Sequence, residues 1–344
     1  MRPWEALLAA LVALAALCLF VSPALRYRWM HLLPSATLLL LAGHLLLEGY
    51  RWQTVPIYIV VVLLALLTAP NLRLIRAQQM TASARRARWP RLLGAILSLP
   101  IIALAVALTI LFPHLRLPEP SGPYAVGTMN LNFVDEERPE TFTPAPSDHR
   151  ELFARIWYPA RIPAGGRPVR YCENAHEISR ALTGPTPMPS FLFDHLGLVK
   201  THSFRAATMA GEGERFPVVI FSHAYWGSVS QCTALMEDLA SHGYVAVSVG
   251  HSYETPYLIQ ADGHIRAFDP RNEEFRLRGV ERAAAFKVEQ RLTQTRDSNE
   301  LETLVREISR LRPKTMESVR IWARDISSTI DELERIDLGN GPLA

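Results

Sequence analysis

Residues 216–227 read FPVVIFSHAYWG. An apolar, β-branched run, Phe216, Val218, Val219, Ile220 and Phe221, ends in Ser222-His223-Ala224-Tyr225-Trp226-Gly227. Such a run predicts a buried strand, and the glycine-bearing segment after it predicts a turn. A buried strand that opens into a turn of this kind can aim backbone N–H groups at an oxyanion, the charge that develops during acyl transfer.

The surrounding sequence extends this strand into an α/β pattern. In residues 230–242 the apolar positions Cys232, Leu235, Met236 and Leu239 recur at helical spacing, and Gly243 stands where helices commonly end. Residues 244–249 predict a second buried strand. Strand, helix and strand with short connections predict a right-handed βαβ unit in a parallel sheet. Residues 151–158 alternate like a further strand, which Pro159 stops. Residues 273–311 are charged, with few β-branched residues, and predict solvated helices in a charged insertion over about 271–313, broken by Pro313. Residues 317–333 carry Val319, Ile321, Trp322, Ile326, Ile330 and Leu333 at amphipathic spacing and predict a packed helix. Asp325 and Asp331 on that helix are expected at the surface or the packing edge.

The first third differs in composition. Residues 6–25, 29–47, 52–72 and 92–115 are four apolar runs, each close to the ~20 residues that cross a bilayer as a helix. They lack the polar residues that amphipathic core helices show every three or four positions. A multi-span α-helical membrane anchor over residues 1–115 is therefore expected, followed by an α/β domain over residues 116–344. The second run is the weakest, interrupted by Pro34, His31 and His44. Arginine clusters at Arg73, Arg76, Arg85, Arg86, Arg88 and Arg91, while the loop with Arg51 is offset by Glu48. Basic loops stay cytoplasmic, so the later domain is expected to be extracytoplasmic. Residues 115–121 (LRLPEPS) read as a linker.

At 344 residues and a net charge of +3, the chain has room for more than one domain and no basic patch interleaved with aromatics. Nucleic-acid binding has no support, no metal constellation stands out, and no cofactor is expected. Of the three cysteines, Cys18 reads as a packing residue, and Cys172 and Cys232 could pair in an oxidising compartment.

Four motifs then come in the order and spacing of one family: Gly122-Pro123-Tyr124-Ala125-Val126-Gly127, Ala154-Arg155-Ile156-Trp157-Tyr158-Pro159, Phe216 to His223, and Asp238-Leu239-Ala240-Ser241-His242-Gly243-Tyr244. From about Ser121 onward the chain resembles the serine-dependent platelet-activating factor acetylhydrolases of the plasma, lipoprotein-associated phospholipase A2 type. The resemblance implies an α/β-hydrolase fold with a parallel-rich sheet, and hydrolysis of short or oxidised sn-2 acyl esters of phospholipids. By position it implies that the Tyr225 N–H is an oxyanion donor and that His223 orients the turn. Ala224 departs from the glycine usual in the family after Ser-His. The family's G-x-S-x-G strand and its later Asp and His find no match before Ala344, so a truncated chain, inactive as given, is expected.

Gly250-His251-Ser252-Tyr253-Glu254 nearly matches G-x-S-x-G. Glu254 stands where that elbow needs a small residue, so Ser252 is not expected to be a nucleophile. His242 reads as a helix-end cation. Two alternatives stay open: a non-catalytic membrane-anchored remnant or interaction module, and another esterase branch of the dienelactone-hydrolase kind. The expected partners are membrane lipids and a phospholipid or short-chain ester.

Overall fold

The computed structural model describes residues 2–18, 32–75, 88–162, 165–184, 186–211, 214–224, 227–260, 263–267 and 280–338. The chain divides into two compact units. The first comprises Met1–Arg116 with Asp194–Val199, and the second Leu117–Phe193 with Lys200–Ala344.

The first unit is helical: α1 (Pro3–Cys18), α2 (Leu33–Leu47), α3 (Val55–Ile75) and α4 (Arg88–Leu111). Pro34 lies in the first turn of α2, where a missing N–H costs nothing, so it starts the helix and does not interrupt it. Leu8, Val12, Ile57, Val61, Leu64 and Ala105 form the core. Buried charge also holds this unit. Glu5 pairs with Arg2 at 2.8 Å and with Arg51 at 3.0 Å. His44 joins Glu48 at 3.1 Å and Tyr58 Oη on α3 at 2.7 Å.

Among the described residues no helix is long and apolar enough to cross a membrane, so the structure does not support the expected multi-span anchor. Two of the helices are simply short. At ~1.5 Å per residue, the 16 residues of α1 and 15 of α2 fall below a hydrocarbon core of about 30 Å. The expected loop residues Arg76, Arg85 and Arg86, and His31 of the second run, lie outside the described residues.

The second unit is an α/β layer structure. Its larger sheet runs β3 (Pro168–Arg170), β4 (Lys200–Arg205), β1 (Ala125–Pro139), β2 (His149–Ala160), β6 (Val245–Gly250), β5 (Val218–Ser222). The sheet is mixed, which corrects the parallel-rich expectation. β1–β2, β2–β6 and β3–β4 are antiparallel, whereas β1–β4 and β5–β6 are parallel. The cause is the β1–β2 hairpin, a long antiparallel pair whose register runs from Ala125↔Ala160 to Asp135↔Arg150. Gly127 is required within it, because a Cβ there would stand 2.4 Å from the Tyr158 ring.

Alternating residues of each strand face opposite layers. On one face Val126, Trp157 and Ala246 pack with Met236 and Ala240 of α6 (Thr233–Ser241). On the other, Ile156, Val247 and Ile220 meet Leu333 of α9 (Pro313–Leu338). Pro313 opens α9 rather than merely ending the helix before it, again in a position that suits proline. α5 (Ala175–Thr183) precedes α6 in the chain, and between α6 and α9 lie the hairpin β7–β8 (Tyr257–Ile259, Ile265–Ala267), α7 (Val280–Gln294) and α8 (Ser298–Leu311).

Candidate active site

Parallel pairing of β5 with β6 sets Ser222 opposite Val249, so the segments that follow both strands emerge at one edge of the sheet. Parallel sheets place their ligands at this carboxyl edge. Two residues past Val249, His251 turns back, and its Nε2 stands 2.9 Å from Ser222 Oγ. The His251 backbone N–H donates to His223 Nε2 at 3.5 Å, and His223 Nδ1 lies 2.9 Å from the Ala224 carbonyl. An imidazole that accepts at Nε2 and donates at Nδ1 is neutral, with its proton on Nδ1. Burial agrees with this and pushes the His223 pKa down to about 4.

The Ala224 carbonyl accepts a second bond, from the Gly227 N–H at 2.6 Å, which closes the turn. The Ala224 N–H donates to Gln231 Oε1 at 3.3 Å. A Cβ on Gly227 would sit 2.3 Å from that same oxygen and 2.6 Å from the Ala224 carbonyl, so only glycine fits. Tyr225, the expected oxyanion donor, and its neighbour Trp226 lie outside the described residues, while both ends of their turn are defined.

Behind the turn stands a charge cluster that the sequence did not disclose. His251 Nδ1 is 2.9 Å from Asp325 Oδ2 on α9. Asp325 also accepts from Arg150 at 2.9 and 3.2 Å and from Arg138 at 2.6 Å. Arg150 pairs in turn with Glu140 at 3.1 Å. Asp325 is therefore fully buried and not at a packing edge, because two guanidiniums and an imidazole replace its water. Burial alone would raise its pKa; the His251 hydrogen bond and the Arg150 charge outweigh that and hold the carboxyl well below the usual range. For His251, burial lowers the pKa, and the opposing pull of Asp325 does not restore it. Trp322, one turn before Asp325, stacks on the His251 ring at 4.3 Å with planes 2° apart, and donates from Nε1 to Glu254 at 2.7 Å. Burial raises the Glu254 carboxyl, although Ser318 and Trp322 hydrogen-bond to it.

The Ser252 hydroxyl donates to the Glu151 carbonyl, and Arg150 binds the Ser252 carbonyl at 3.1 Å. Ser252 is thus held inside the structure, not displayed on an elbow. A cavity of about 280 Å³ lies beside it, walled by Phe133, Phe153, Leu258 and Ile259. His242 meets Ser121 at an exposed position, with 3.0 Å between Nε2 and Oγ. Among the described residues no group of three or more His, Cys, Asp or Glu is placed to hold a metal ion. All three cysteines are free.

Residues 109–318, more than half of the chain, match the family described as Platelet-activating factor acetylhydrolase, isoform II. The chain belongs to this family. Two platelet-activating factor acetylhydrolases are 28% identical to it, that of Cavia porcellus over 42% of this chain and that of Canis lupus familiaris over 40%. The matched regions span only 30% and 28% of those relatives' own lengths. The solved structure of a ferulic acid esterase from Streptomyces cinnamoneus is 27% identical over 55% of this chain and 51% of its own, with a TM-score of 0.39. Within this family the second unit is a partial α/β-hydrolase-like fold with a mixed sheet.

Ser222, His251 and Asp325 are the residues that sequence reasoning missed. The sequence offers only a partial signal: Asp325 lies three residues after Trp322 and four before Thr329, beside the apolar stripe of an amphipathic helix.

Proposed function

We propose that this chain supplies the oxyanion-binding part of a carboxylic ester hydrolase of the platelet-activating factor acetylhydrolase type. Its substrates would be short or oxidised sn-2 acyl esters of phospholipids. The carrying observation is the turn after β5, closed by the Gly227 N–H on the Ala224 carbonyl and braced by the neutral His223 ring. A turn fixed in this way can present the Tyr225 N–H to a tetrahedral intermediate without reorganising as charge develops. Ser252 is committed to a backbone carbonyl, so the chain's assigned role is stabilisation of the oxyanion and not nucleophilic attack.

The test is p-nitrophenyl acetate hydrolysis by the full chain and by Tyr225→Pro, which has no N–H to donate. An oxyanion site without a nucleophile gives at most about 10³–10⁴-fold over water. Weak hydrolysis above the buffer rate is expected, falling to that rate in Tyr225→Pro. Saturable turnover abolished by Ser252→Ala would overturn the assignment.

We propose further that the helical unit associates with lipid. Leu39, Leu46 and Leu66 on α2 and α3 are 76%, 85% and 64% exposed, and exposed apolar surface of this kind marks a membrane or protein contact. The arginine bias of its loops favours an extracytoplasmic hydrolase unit. Flotation with liposomes tests the first point, and a reporter that matures only outside the cytoplasm, fused after Asn340, tests the second.

A further inference from the structure

Ser222, His251 and Asp325 have the connectivity of a nucleophilic triad: hydroxyl to Nε2 at 2.9 Å, and Nδ1 to carboxylate at 2.9 Å. We propose that they are instead a fixed relay in which His251 and Asp325 are positioning residues for the oxyanion turn and Ser222 is a hydrogen-bond donor. This rests on the ester-hydrolase proposal above.

The first ground is electrostatic. In a working triad the aspartate stabilises the imidazolium that forms when the serine loses its proton. Here the carboxylate of Asp325 already carries Arg150 from β2 and Arg138 from β1. Glu140 pairs with Arg150 on its other side. Arg138 also meets Asp135 at 3.2 Å, so both guanidiniums and the Asp325 carboxylate are shared within one network before any charge forms on His251. The pull of Asp325 on a protonated His251 is divided accordingly, in a site where His251 and Asp325 are both fully buried. His223 from the end of β5 lies 5.0 Å away between ring centroids, and Trp322 from α9 covers the ring face. Glu254 after β6 is already occupied by Trp322 and Ser318.

The second ground is geometric. His251 holds both residues that lead into the turn. Its ring accepts from Ser222, its backbone N–H donates to His223 Nε2, and His223 Nδ1–H donates to the Ala224 carbonyl. Asp325 fixes the tautomer that makes this possible, since only a proton on Nδ1 leaves Nε2 free to accept. The position of α9 is thereby transmitted to the oxyanion turn through His251 and His223.

The experiment uses the full chain labelled with ¹⁵N-histidine. Imidazole nitrogen shifts report tautomers, and p-nitrophenyl acetate hydrolysis reports the turn. In the wild type both His223 and His251 should be Nδ1–H tautomers. His251→Leu should shift the His223 imidazole signals and cut the background hydrolysis about tenfold. His251→Asn, whose amide can still donate to Asp325, should restore most of both. Unchanged His223 signals in His251→Leu would overturn the proposal. So would labelling of the wild type by a fluorophosphonate that disappears in Ser222→Ala, because that would make Ser222 a nucleophile. If His251→Leu does not fold, the wild-type tautomers and the labelling result still decide. If the tautomers are as stated but the wild type hydrolyses no ester, the relay stands and the oxyanion proposal fails.

Discussion

Replacing His223 by Asn should flatten the pH dependence of local stability at the turn. An Asn amide can still donate to the Ala224 carbonyl, but it does not titrate. In the native state burial holds the His223 pKa at about 4, against 6.5 for the ordinary ring. Between those values the unfolded chain binds more protons than the native one, so stability rises with pH. The contribution is complete above 6.5 and is lost as pH falls toward about 4. Integrated, the loss is about 2 kcal/mol by about pH 5 and about 3 kcal/mol by about pH 4. His251, also held low, acts with the same sign. Glu254 and Glu237 act oppositely: burial raises both, so their contribution is present below 4.5 and is lost as pH rises through their native values. The difference between wild type and His223→Asn cancels these shared terms. Hydrogen exchange of the β5 and β6 amides in the full chain measures the local opening free energy. The wild type should lose about 2 kcal/mol more than the variant between about pH 7.5 and about pH 5. Parallel profiles would falsify the assignment of a buried, neutral His223.

Three further outcomes are expected. Gly122→Ala puts a Cβ 2.1 Å from the Ser241 carbonyl oxygen, and because that neighbour is backbone it should cost about 1–3 kcal/mol and expose the Tyr124 amide to exchange. Arg150→Leu leaves Glu140 and part of Asp325 buried without their cation, so urea denaturation should show about 3–5 kcal/mol of destabilisation. Cys172 should react with iodoacetamide only on unfolding, since burial pushes its thiol up to about 12; mass spectrometry of native and denatured samples checks this.

The residues around the turn show what is local and what is not. The strand of Val218–Ser222, the helix of Thr233–Ser241 and the strand of Val245–Gly250 were legible because each is written in its own periodicity: a β-branched run, an i, i+3, i+4 stripe, and a second apolar run. The same holds for the amphipathic α9. The family resemblance rested instead on the identities of residues in four motifs in series. The sheet's antiparallel majority was not legible, since the sequence does not state which strand lies beside β2. Nor was the site's charge cluster. His251 and Asp325 are 74 residues apart, and Arg150 and Asp325 are 175. An aspartate beside the apolar stripe of a helix reads the same in sequence whether it faces water or two arginines. Only the packing of α9 against the β1–β2 hairpin brings those arginines to it, and it is their compensating charge that makes its burial tolerable.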